Sequence, residues 1–182
     1  MTLYRILVAC CLVLSASGAP AAAFESELFA LDVPGGFQGP ISQSMGADGS
    51  VIAFTKPHPG APTNTLLQIT IYSAPAGAQP PRADQLGPLS ERYLGQFLGG
   101  IERRRTDFSS TKPSRVTLGG LPATKVTWTG VAQGRQMRGT MYCVIVGTRV
   151  FSLHVQDFES APPNYLREAE AALTSIRFKS GG

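Results

Sequence analysis

Two histidines and three cysteines are all that this chain of 182 residues offers to imidazole or thiol chemistry. His58 stands between Pro57 and Pro59 in a run, Lys56 to Thr65, that carries three prolines and a glycine. Such a run must be a loop, and His58 is expected there as a solvated side chain rather than a ligand or catalyst. His154 falls in a β-rich run and is expected as a packed histidine with one satisfied hydrogen bond. Ser152 lies two residues before it. Residues two apart on a strand share a face but sit ~6–7 Å apart at Cα, which is poor geometry for a nucleophile and its base. Asp157, at an odd offset, points away from His154. Cys143 alternates with Met141 and Ile145, so it is expected as a buried thiol with a raised pKa that behaves as a small hydrophobe.

The remaining chemistry is sparse. Asp32, Asp48, Asp84, Asp107 and Asp157 never cluster at the spacing of a metal loop; a calcium site assembled across loops stays open as an alternative. There is no Gly-x-Ser-x-Gly elbow, dinucleotide fingerprint, P-loop or His-Glu-x-x-His. No cofactor, metal or catalytic residue is expected. Trp128 has Val126 and Met141 as strand neighbours, which favours the core over a platform for sugar or lipid.

Charge is the feature with a direction. The chain carries a net +4, and Arg103, Arg104, Arg105, Lys112, Arg115, Lys125, Arg135, Arg138 and Arg149 face a single acid, Asp107, between residues 103 and 156. Lys125, Arg138 and Arg149 are expected on one sheet face, with Arg135 at the adjoining turn. This basic face could steer an acidic protein or an anionic envelope surface toward the chain. The alternative is charge that merely solvates strand ends and a helix C-terminus. Nucleic acid is not expected as a partner, because no aromatic residues interleave the basic ones as a base-stacking surface requires.

The elements that must position these residues begin after an address. Arg5 precedes the apolar run Ile6 to Leu14, and Ala21-x-Ala23 offers small side chains to a signal peptidase. Residues 1–23 are therefore read as a signal peptide cleaved before Phe24, which places the chain in a periplasm or outside the cell with no membrane span left. The competing reading makes Cys10 a lipidated N-terminus after Leu7-Val8-Ala9, but four apolar residues are too few for the hydrophobic region of a signal. Cys10 and Cys11 leave with the signal, and Cys143 remains alone. Residues 24–182 are long enough for a single domain with a core that needs no disulfide.

Charged residues at 15%, with 20 glycines and 14 prolines, favour turns over long helices. Leu28 to Val33, Ser50 to Thr55 and Leu66 to Tyr72 read as strands. Pro88 to Arg104 reads as a helix, with Leu89, Tyr93, Phe97 and Ile101 in one stripe and Pro88 in its first turn. Asn164 to Ile176 reads as a second helix, with Ser160 placed to cap it. Between them Ala123 to Thr129, Met137 to Val146 and Val150 to Asp157 form a meander. Gly147-Thr148, glycine first, predicts a type II′ turn that sets Val146 opposite Arg149 and Val144 opposite Phe151; a tight turn at Gln133-Gly134 sets Arg138 opposite Thr129. Tyr142, Val144, Phe151, Leu153 and Val155 then share one face, and Val126, Trp128, Met141, Cys143, Ile145 and Val150 the other. Apolar residues on both faces predict an α+β domain: a mostly antiparallel sheet with a helix packed on each face, an α/β/α sandwich.

The order of these elements carries a resemblance. An early strand into Val33-Pro34-Gly35-Gly36-Phe37, the Gly119-Gly120-Leu121-Pro122-Ala123 entry to the meander, and a final helix into Ser175-Ile176-Arg177-Phe178 resemble the superfamily of PsbP photosystem subunits, Mog-type Ran-binding proteins and DcrB-like exported proteins. The resemblance spans Phe29 to Phe178. It implies an antiparallel sheet between helices and a binding or accessory role rather than catalysis, and it transfers no partner or binding residue. The expected function is an exported, non-catalytic binding or accessory protein of the bacterial envelope. A module for envelope lipid or glycan, or a hydrolase with a loop-built site, are the alternatives.

Overall fold

The computed structural model describes residues 22–179. The apolar run Ile6 to Leu14, Cys10 and Cys11 lie outside the described residues. The expected cleavage point falls inside the first strand, β1 (Ala22–Glu25), which pairs antiparallel with β2 (Phe29–Val33). Phe24 is already part of the packing, its ring 5.8 Å from Phe29 and 5.3 Å from Phe54. A two-residue strand near the C-terminus, β11 (Arg177–Phe178), closes this small sheet on the other edge of β2.

The main sheet has eight strands, all paired antiparallel. Its path runs β3 (Gln38–Ser44), β4 (Gly49–Pro57), β5 (Asn64–Ser73), β10 (Arg149–Phe158), β9 (Arg135–Val146), β8 (Leu121–Ala132) and β6 (Thr106–Ser110). The remaining strand, β7 (Ser114–Leu118), also pairs with β8: β6 takes its Trp128–Val131 half and β7 its Leu121–Lys125 half. The meander has the predicted register, with Val146 opposite Arg149, Val144 opposite Phe151 and Thr129 opposite Arg138. Gly147 alone has positive φ in its turn (58°), as type II′ demands, whereas Gln133 (53°) and Gly134 (70°) both do, as in type I′. Lys56 to Thr65 is shorter as a loop than its prolines suggest, because β4 extends through Pro57 and β5 begins at Asn64.

Helix α1 (Ala83–Glu102) starts a turn and a half earlier than its apolar stripe. Its first turn is closed by reciprocal bonds: the Arg82 N–H donates to Gln85 Oε1 and the Gln85 N–H donates to the Arg82 carbonyl, both at 2.9 Å. Pro88 consequently sits inside the helix rather than in its first turn. Helix α2 spans Pro163–Thr174 with Pro162 at the cap position. Ser160 does not cap it; its Oγ accepts a bond from Arg135 instead.

Strand alternation divides the core in two. The larger cluster joins Phe29, Leu31 and Val33 of β2 to Leu67, Ile69 and Ile71, to Phe151, Leu153 and Val155, to Tyr142 and Val144, and to Ala169, Ala172 and Leu173 of α2. The smaller takes the intervening residues of β9, Met141 and Cys143, with Val126 and with Leu94 of α1. A short bond between Ser90 and Thr124 hydroxyls (2.6 Å) fastens α1 to β8.

Candidate functional site

The four basic residues read from the sequence are placed unequally. Lys125 is half-buried and already neutralised: its Nζ lies 2.8 Å from Glu170 Oε1 and 5.3 Å above the Tyr142 ring. Burial opposes its charge, but the bonds to Glu170 and Tyr142 prevail and raise its pKa. The Tyr142 hydroxyl donates to the same carboxylate at 2.7 Å, and its pKa is pushed up to about 12 by burial and by Glu170. Arg135 is exposed, with its guanidinium 4.2 Å above the Phe158 ring and 3.2 Å from Ser160 Oγ. Arg138 is half-buried, opposite Asp157 in the ladder, with its Nε shut off from solvent and unbonded. Arg149 is half-buried at the first position of β10. The register sets Lys125 across from Tyr142, Arg138 across from Thr129, and Arg149 across from Val146. By strand alternation Lys125, Arg138 and Arg149 therefore belong to one face, that of Tyr142 and Val144.

His58 is not a solvated loop residue. Its side chain is buried, and its Nε2 lies 3.0 Å from Asp157 Oδ1 and 3.2 Å from Thr65 Oγ1. Its Nδ1 lies 2.8 Å from Thr63 Oγ1. Thr65 donates to Asp157 Oδ2 at 2.6 Å, and the Phe158 N–H donates to Oδ1. With the carboxylate as acceptor, the Nε2–H donates to Asp157, and Nδ1 accepts from the Thr63 hydroxyl. The result is an acid–imidazole–hydroxyl chain beside a cleft of about 410 Å³ that Arg135 and Ser160 also line. The sequence hid it because the prolines describe only the local backbone, while the acid partner of Thr65 is 92 residues away.

His154 is packed as expected. The Trp128 indole N–H donates to its Nε2 at 3.2 Å, and both residues are buried. Burial, and then the neighbouring Arg105, lower its pKa to about 3. Trp128 is 2% exposed, and Gly139 is what admits it: a Cβ there would lie 2.6 Å from the indole and 2.5 Å from the Val155 carbonyl. The Cys143 thiol is pushed up to about 12 by burial. Among the described residues no three His, Cys, Asp or Glu side chains converge as a metal site would require.

Arg105 was legible only as one charge in a basic run. Its guanidinium lies 4.4 Å over Trp128, and it donates to Gln156 Oε1 at 2.6 Å and to the Ile101 carbonyl at 3.2 Å. Burial, with Arg104 alongside, lowers its pKa.

No family model matches the chain, and no curated protein does. Solved structures do. LpqN of Mycobacterium tuberculosis, described as involved in cell envelope biogenesis, superposes with a TM-score of 0.61 at 15% identity over 90% of this chain and 88% of its own. The PsbP of Synechocystis sp. PCC 6803, CyanoP, gives 0.57 at 10% identity over 91% and 96%. A Bacteroides thetaiotaomicron protein gives 0.51 at 14% identity, over 85% of this chain but 46% of its own. At such identities the likeness is one of fold, and the fold is that of the PsbP-like proteins, as the order of strands, turns and helices in the sequence implies.

Proposed function

We propose that the chain is an exported, non-catalytic accessory protein of a bacterial cell envelope, and that it engages an acidic partner through its basic segment, with Arg135 and Arg138 as the contacts and Lys125 and Arg149 alongside. On this reading its domain is an α/β/α sandwich in a periplasm or outside the cell. Support for the layering comes from alternate residues of β9, which enter the cluster of α2 or that of α1. Support for the compartment comes from the Ala21-x-Ala23 signal and from the envelope role named for LpqN.

One observation carries the partner. Outside residues 103–156, Lys56, Arg82, Arg177 and Lys179 lie within ion-pair distance of a carboxylate, whereas Arg92 and Arg167 do not among the described residues. Inside that segment Lys125 does so, whereas Arg103, Arg104, Arg105, Lys112, Arg115, Arg135 and Arg138 have no carboxylate within 4 Å among the described residues. Within residues 103–156 unpaired cations outnumber the paired one, and Arg135 and Arg138 are left to meet an acidic group from outside. An immobilised glutamate-rich peptide is a sufficient probe. Association should weaken steeply with salt and slow in Arg135→Glu/Arg138→Gln; an unchanged rate in that variant at low salt would end the reading. N-terminal sequencing of the exported protein should begin at Phe24, and an acylated Cys10 would move it to a membrane surface.

The Asp157–His58–Thr63 chain favours a second reading, a hydrolase with a loop-built site. There His58 would take the proton of Thr63 as its oxygen attacks an ester carbonyl and pass it to the alcohol that leaves, and water would then cleave the acyl group from Thr63. Turnover of p-nitrophenyl acetate, abolished in both Thr63→Val and His58→Gln, would install it. No turnover, or turnover indifferent to both, would retire it.

A further inference from the structure

A cleft of about 590 Å³ lies where the C-terminal end of α1 passes β5 and β10. That volume suits a small molecule. No carboxylate lines it, and its charged residues are Arg104 and Arg105. None of Lys125, Arg135, Arg138 or Arg149 lines it, although Arg135 stacks on Phe158 of its wall.

Its polar groups are the two arginines, His154 and the amides of Asn64, Gln68, Gln133 and Gln156. Arg105 is held in place before any ligand arrives, stacked on Trp128 and tied to the last turn of α1. Its Nε is cut off from solvent and has no acceptor, a costly state for a charged donor. The acceptor its Nη2 has found is a neutral amide oxygen, that of Gln156, which leaves the Gln156 amide N–H groups as donors at the cleft. His154, also in the lining, accepts from Trp128 at Nε2 and so carries its own proton on Nδ1. Leu66, Ile101, Met137 and Phe158 supply apolar wall. A guanidinium satisfied by a neutral oxygen is a guanidinium awaiting an anionic one, since charge-assisted pairs are roughly twice as strong as neutral ones.

We infer that this cleft is a binding site for a small amphiphilic anion: a carboxylate or phosphate head that displaces Gln156 Oε1 from Arg105 and reaches both Nη2 and Nε, with a short apolar body against Leu66, Ile101 and Phe158. Arg104 draws the head in. Gln156 is the displaceable residue, and Trp128 fixes the angle at which the guanidinium is offered.

Calorimetric titration of the full chain with octanoate and octyl phosphate tests this, with acetate and inorganic phosphate as heads without bodies and octanol as a body without a head. At least one octyl anion should bind, its short counterpart and octanol at least tenfold more weakly, and the preferred head identifies the ligand as carboxylate or phosphate. Arg105→Gln should weaken binding at least tenfold. Gln156→Glu supplies the missing carboxylate within the chain; it should keep the fold, raise the melting temperature and abolish octyl-anion binding. Failure of both octyl anions to bind, octanol binding equally well, or undiminished binding to Gln156→Glu would each overturn the site.

Discussion

The two halves of the core solve the same problem with different materials. The larger cluster is apolar but for Tyr142. Phe29, Phe151 and Phe178 meet edge to face, and two cations at its rim are met by carboxylates of α2, Lys56 by Glu168 and Lys125 by Glu170. The smaller cluster holds a thiol, and on its face of the sheet lie a buried imidazole bonded to a buried indole and a half-buried guanidinium stacked on that indole with no acid in reach. Carboxylates make the difference. Helix α2 carries Glu168 and Glu170 toward the sheet, whereas α1 ends in Arg103, Arg104 and Arg105 beyond its last carboxylate, Glu102. Both sides bury polar groups, but the imidazole of His58 has an acid beside it and the indole–imidazole–guanidinium stack has none.

Truncating one large ring on each face of the sheet probes that contrast most strongly. Phe151→Ala and Trp128→Ala should each cost about 3–5 kcal/mol in urea unfolding, the range for buried aromatics. The difference lies in the readout: Phe151→Ala should also speed amide exchange in the strands around Phe29, and Trp128→Ala should leave that exchange alone while unseating Arg105 and His154. Equal effects on both regions would mean the clusters act as one.

Acid should single out the smaller cluster next. The His154 pKa is lowered to about 3 in the folded chain from an ordinary value of 6.5, by burial and by Arg105. Between those values the unfolded chain binds the extra proton, so stability present above pH 6.5 is lost as pH falls toward 3. His154→Gln should flatten that slope in an unfolding series, and an unchanged slope would assign it elsewhere.

A polar cut on the other side of the sheet should cost less than a lost ring. Asp157→Asn removes a charged acceptor from His58 and Thr65 and is expected to cost about 1.5–3 kcal/mol, with the 58–63 turn becoming sensitive to proteolysis. A neutral result would make the His58 chain an ornament of the loop. The smallest effect concerns Cys143, whose thiol titrates near 12 rather than 9. The folded chain keeps this proton longer than the unfolded one, so stability declines as pH rises from 9 to 12. Near neutrality the thiol should label slowly until denaturant is added.

What the sequence made legible was whatever two-residue alternation and tight-turn chemistry encode. Gly147-Thr148 and Gln133-Gly134 set three strands in register, and with them the division of Trp128, His154 and Cys143 from Tyr142 and Phe151. The edges were not legible. Every residue of β3 is exposed, and β6 and β7 carry polar residues on both faces; they are strands only because β4 and β8 offer them a ladder. The start of α1 was hidden for a related reason, since Arg82 and Gln85 close it with backbone and amide groups that no apolar stripe announces. At the candidate sites the residues were visible and their company was not. His58 needed Asp157 from the far end of the meander, and Arg105 needed Gln156, a contact between residues 51 apart.

The small sheet has a consequence for how the chain comes into being. Its middle strand, β2, is bordered by the first and the last strands, and Arg177 grips Asp32 across a separation of 145 residues. Phe178 settles over Gly119, where any Cβ would meet its ring at 2.7 Å. Contacts of such span are the slow ones to form. Phe29 therefore gains its strand partner, and Phe151 the second of its edge-to-face rings, only when two segments far apart in the sequence have met.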